Sequence, residues 1–123
     1  MFEIHMGVPE MKAFWDELCR KNKDDSATKN EQTLYKKLGK TLHQIAINPR
    51  HPSLKTHDIE VLTKRYGEKV WQSYLENNTP AAGRVFWVYG PNQNEITIIG
   101  LEPHPNDKSN AYKKITLSNM EWS

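Results

Sequence analysis

Two segments in the second half of the chain, RVFWVYG (84–90) and EITIIGL (95–101), constrain its fold more than any others. Both are dense in β-branched and aromatic residues, which suit the pleated, half-buried surface of a sheet. Only PNQN (91–94) separates them, and proline and asparagine are turn residues. The pair predicts an antiparallel hairpin. KVWQSYLE (69–76) predicts a third strand ahead of it, with NNTPAAG (77–83) as the turn between. EPHPND (102–107) is expected to leave the sheet, and SNAYKKITLSNM to form a weak terminal helix.

The first half has a different period. FEIHM (2–6) alternates, with Phe2, Ile4 and Met6 on one face and Glu3 and His5 on the other, which predicts a short strand. Pro9 opens a helix to about residue 21, with an apolar stripe of Met11, Phe14, Trp15 and Leu18. NKDDSATKN (22–30) is polar and predicts a loop. A second helix is expected over 31–47, with Leu34, Leu38, Leu42 and Ile45 inward; Asn48-Pro49 stops it, because a residue before proline is pushed out of the α region. A strand, two helices and then a run of strands predict an α+β fold: a small antiparallel sheet with two N-terminal helices packed on one face. The other face must be concave, occupied or solvated.

At 123 residues, 37% of them hydrophobic and 26% charged, the chain suits one domain, 1–123, with a small core. No apolar run approaches the roughly 20 residues that span a bilayer. MFEIHMGVPE lacks the basic and apolar regions of a secretory signal, and a single cysteine, Cys19, excludes an internal disulfide or a cysteine-rich zinc site. A reducing cytoplasm is therefore expected. The net charge is only +2, so the placement of the charge carries more information than its sum.

That placement singles out NPRHPSLKTH (48–57), where Arg50, His51, Lys55 and His57 stand in an extended segment with no acid among them. Arg84 starts the first hairpin strand, His104 follows the second, and Tyr89 lies near the hairpin turn. Antiparallel pairing brings Arg84 and His104 to the same end, away from the turn. Lys55, Arg84 and His104 together suit a phosphodiester. Arginine offers paired donors, lysine a point charge, and histidine a proton near neutral pH. Cleavage by a neighbouring 2′-hydroxyl needs such groups and no metal or other cofactor. Plainer readings stand beside this one. Arg50 and His51 can satisfy the carbonyls ending the second helix. Trp71, Phe86 and Trp87 suit a core, and Lys36, Lys37 and Lys40 a solvated helix face.

NPRHPSLKTH, with NNTPAAGRVFWVYGP and ITIIGLEPHPND, resembles the RelE/ParE superfamily of toxins from type II toxin–antitoxin systems over roughly residues 31 to 107. The PSLK.H element is its most specific part. The resemblance implies a RelE-like toxin fold and a ribosome-dependent mRNA endonuclease held inactive by a cognate antitoxin. By motif it implies catalytic roles for Lys55, Arg84 and His104, and RNA contacts for Arg50, His51, His57 and Tyr89. Where the family carries tyrosine before the arginine, this chain has Gly83, and Pro105 follows His104. The superfamily also contains ParE-like toxins directed at gyrase. A toxin-fold protein that only binds an antitoxin is the third expectation.

Overall fold

Hydrophobic periodicity and local capping divide the described residues into nine short elements. The computed structural model describes residues 1–7, 10–75 and 83–103. In chain order these are β1 (Glu3–Met6), α1 (Glu10–Lys23), α2 (Lys29–Ile47), a 3₁₀ turn (Pro52–Leu54), β2 (His57–Asp58), α3 (Glu60–Tyr66), β3 (Trp71–Tyr74), β4 (Gly83–Tyr89) and β5 (Glu95–Pro103). The architecture is α+β: one five-stranded sheet, ordered β1-β5-β4-β3-β2, with helices against it. Among the described residues no helix is long and apolar enough to cross a membrane.

The sheet is mixed, which corrects the expected all-antiparallel one. β2, β3, β4 and β5 pair antiparallel, but β1 lies parallel to β5, with Ile4 beside Ile96 and Met6 beside Ile98. Alternation in FEIHM sets which side chains point inward and is silent on direction. The α1–α2 hairpin carries the chain away from β1 before the antiparallel strands begin, and the remaining edge of β5 takes β1 in parallel. The second strand also runs further than expected. Gly83 pairs with Pro103 and Arg84 with Glu102, so residues 102 and 103 stay in the sheet. His104 and the expected terminal helix lie outside the described residues.

The helix starts follow their caps. Thr28 accepts from the Glu31 backbone N–H while the Glu31 carboxylate accepts from the Thr28 N–H, a reciprocal capping box that begins α2 at Lys29. Lys21 reaches the same Glu31 carboxylate at 2.9 Å and ties α1 to that start. α3 ends at Gly67, whose φ of 93° is left-handed and favours glycine.

Strand alternation gives the sheet two apolar faces. Val85, Trp87, Ile96 and Ile98 pack against Met11 and Leu18 of α1 and Leu38, Leu42 and Ile45 of α2. Phe14, expected in that stripe, is 40% exposed. Phe86, Val88 and Ile99 pack against Ile59, Leu62 and Val70, with Tyr66 at their margin, so α3 occupies much of the second face. Alternation along β5 puts Ile99 on that second face and Ile98 on the first, and a register shift at Phe86/Trp87 leaves Ile99 without a paired residue on β4. Full burial of a side chain such as Phe86 contributes about 1.5–3 kcal/mol.

Candidate functional site

The segment after α2 is built by its own side chains. Asn48 ends the helix and its Oδ1 accepts from the Arg50 N–H. His51 begins the 3₁₀ turn, with Nδ1 accepting from the backbone N–H and the hydroxyl of Ser53. Lys55 closes the turn in the left-handed region, φ 49° and ψ 42°, with its side chain exposed. The His57 ring then turns back, and its Nδ1 stands 2.9 Å from the Lys55 carbonyl.

A directional chain of hydrogen bonds pins this loop to the core. The indole N–H of Trp87 donates to Ser73 Oγ at 2.9 Å. Ser73 Oγ lies 2.7 Å from Thr56 Oγ1, and Thr56 donates to the Pro49 carbonyl at 2.8 Å. Thr56 spends its one proton on Pro49, so Ser73 donates to Thr56. Arg50 is held differently: its guanidinium lies 4.5 Å from the centroid of the Trp71 ring, and the Lys69 ammonium 5.3 Å from the same ring.

Arg84 is placed by strand parity. It shares the α3-side face with Phe86, whose ring centroid lies 5.6 Å from its guanidinium carbon. Its Nη1 donates to Gln72 Oε1 at 3.2 Å, and Gln72 Nε2 stands 3.4 Å from His57 Nε2. Gln72 is fully buried and Arg84 only 3% exposed. Arg84 therefore reaches the loop through Gln72, inside the protein, and not from the solvent. The edge of the sheet thus brings together Lys55 through its carbonyl, His57, Gln72 and Arg84. The Tyr74 ring, 6.3 Å from that of His57, completes the surroundings.

Tyr89 stands elsewhere. Residues 84 and 89 have opposite parity, so they point to opposite faces, about 17 Å apart along the strand. Tyr89 is 39% exposed and packs against Phe2, Trp71 and Trp87 on the helical-hairpin side. Arg50 meets Trp71 in the same neighbourhood, so Arg50 and Tyr89 belong with each other and not with Arg84. His51 is committed to its own turn. His104 lies outside the described residues. Sequence reasoning passed over Gln72, Ser73 and Thr56. The available signal was a pair of consecutive polar residues inside KVWQSYLE, one for each face of a strand apolar on both sides.

Two further features belong to the surroundings. A cavity of about 210 Å³ opens between α2 and the 3₁₀ turn, lined by Lys40, Gln44, Ser53 and Tyr74 among others. At the opposite edge of the sheet Glu3, His5 and Glu95 bring one ligand atom each within 4.8 Å of one another, a donor set able to hold a divalent cation. Burial opposes the charge of Glu95, but hydrogen bonds from His5 and Asn92 outweigh it and leave its pKa below the ordinary value.

Comparison with protein-family models, with curated proteins and with solved structures gave no match.

Proposed function

We propose that this chain is the toxin of a type II toxin–antitoxin pair, of the RelE/ParE kind, and that it cleaves mRNA on the ribosome in the cytoplasm. One observation carries the reading. The exposed basic loop 50–57, which bears the PSLK.H resemblance, is joined through Gln72 to Arg84 on one face of the sheet. A 2′-hydroxyl gives up its proton to a base, its oxygen attacks the adjacent phosphorus, the bond to the 5′-oxygen breaks, and that oxygen takes a proton. In this reading the Lys55 ammonium meets the phosphate, Arg84 donates to the charge on the phosphorane, and His104 supplies the proton. Arg50 and His51 hold the RNA backbone along an extended loop, where a helix would turn half its charges away, and His57 braces that loop from behind. The cognate antitoxin supplies an apolar helix or strand that covers the toxin until it is needed.

The burial of Arg84 favours a second reading, a toxin-fold protein that pairs with an antitoxin and cleaves nothing. Its guanidinium faces Gln72 and the Phe86 ring, so a phosphate must displace the amide to be bound. Induced expression with primer-extension mapping of mRNA ends decides between them. New ends within translated frames, lost in Lys55→Ala and His104→Ala, support the nuclease. Growth arrest with intact mRNA and halted replication moves the target to gyrase, and growth without arrest supports the pairing-only reading.

A further inference from the structure

We propose that Gln72 is a positioning residue whose one buried amide sets both the direction of Arg84 and the tautomer of His57. The proposal rests on the reading of this edge as a phosphate site. The geometry is determined from two sides. A guanidinium has only donors, so the end of the amide facing Arg84 Nη1 at 3.2 Å must be the oxygen. The amide NH₂ therefore faces His57 Nε2, 3.4 Å away. An NH₂ group only donates, so Nε2 must carry the lone pair and the ring proton must sit on Nδ1. The opposite side of the ring demands the same arrangement, because Nδ1 lies 2.9 Å from the Lys55 carbonyl, which only accepts.

A neutral imidazole in water prefers its proton on Nε2, so this arrangement is imposed by the protein. Core packing alone does not call for it. An apolar side chain would fill the same space without needing partners, whereas a fully buried amide is tolerable only with its polar ends engaged. The amide cannot turn over while Arg84 stands against it, since that would oppose donor to donor. His57 consequently offers no Nε2 proton to a leaving oxygen. It serves as a strut, and its Nδ1–H holds the carbonyl of Lys55, whose left-handed backbone sets the root of the exposed ammonium. Lys55 and Arg84 are then held in one fixed arrangement, with Gln72 as the shared reference and His57 as the strut between them.

The test combines a spectroscopic readout with a kinetic one. Protein labelled with ¹⁵N-histidine is examined by long-range ¹H–¹⁵N correlation at neutral pH, with His57→Gln assigning the signals. The expected wild-type pattern is a protonated Nδ1 and a lone pair on Nε2. In Gln72→Glu the carboxylate accepts from both neighbours, draws a proton to Nε2, and removes the lone-pair signal. A wild-type proton on Nε2, or no change in Gln72→Glu, overturns the proposal. Cleavage of ribosome-bound mRNA by Gln72→Glu should fall by on the order of tenfold to a hundredfold, the range usual for residues that orient contacting groups. A changed tautomer with wild-type cleavage overturns the positioning role. The expected tautomers in a wild type that cleaves nothing support the coupling and overturn the nuclease reading instead.

Discussion

The guanidinium of Arg50 lies 4.5 Å from the ring centroid of Trp71, so the first basic residue after α2 is held by an aromatic ring. This cation–π contact gives the charge a place without a carboxylate. We expect Arg50→Ala to lower stability by about 0.5–1 kcal/mol, the usual worth of such a contact at an accessible site. Urea unfolding measures the loss. A shift in tryptophan emission at constant fold would report the uncovering of Trp71.

Lys55 holds a left-handed backbone, which costs a residue with a Cβ roughly 1–2 kcal/mol relative to glycine. Lys55→Gly should therefore keep or slightly raise the melting temperature, while Lys55→Ile, branched at Cβ, should lower it. Both remove the exposed charge, so both should weaken RNA binding and flatten its salt dependence. Filter binding across a salt series separates this electrostatic effect from folding.

Arg84→Ala should cost about 2–3 kcal/mol, because it leaves the fully buried Gln72 amide without its donor. A loss under about 1 kcal/mol in chemical denaturation would contradict the interior placement of this arginine. Activity comparisons therefore belong with Arg84→Lys, measured where both proteins are folded.

The capping box gives an acid-sensitive contribution. The Lys21 ammonium, with help from the Thr28 N–H, holds the Glu31 carboxyl down at about 2, below its ordinary 4.5. A depressed folded-state pKa means stability is present above the unfolded value and is lost as pH falls. The loss should run from about pH 4.5 down to about pH 2. Glu31→Gln should be less stable than wild type at neutral pH, with the gap closing through that window. Thermal melts at graded pH and low salt would show it.

Tyr66 makes a contrasting case. Its hydroxyl is buried and finds no hydrogen-bond partner among the described residues, and that burial, with Glu68 nearby, pushes its pKa up to about 12. Tyr66→Phe removes the unsatisfied group and should raise stability by about 1 kcal/mol in urea titrations. A destabilised Tyr66→Phe would mean the hydroxyl has a partner.

Legibility in the sequence followed the range of the interaction concerned. The hairpin of β4 and β5, the stripe of α2 and the stop at Asn48-Pro49 depend on neighbours in the chain, and all were readable. The Thr28-x-x-Glu31 pattern carries the start of α2, two residues before apolar spacing alone places it. EVLTKRYGEKVW allows an extra turn or helix, and α3 is that helix, though its N-cap Ile59 makes no side-chain cap bond and it spans only seven residues. The interior position of Arg84 was hidden because it depends on Gln72 twelve residues earlier and on an element covering the second face. The separation of Tyr89 from Arg84 was available from parity alone, since residues an odd number apart on a strand point opposite ways. The parallel pairing of β1 had no local signal at all.

That parallel pairing has a consequence for how the protein is made. Among the described residues Glu3 to Met6 find their strand partners in Glu95 to Ile98, about ninety residues later. During synthesis the first strand leaves the ribosome with nothing to join. The helical hairpin and the β3–β4 pair can form while it waits, and the sheet closes only when β5 has emerged. Until then the apolar side of α2 lacks Ile96 and Ile98. A nascent chain of this kind closes its sheet only after Ile98 has left the ribosome.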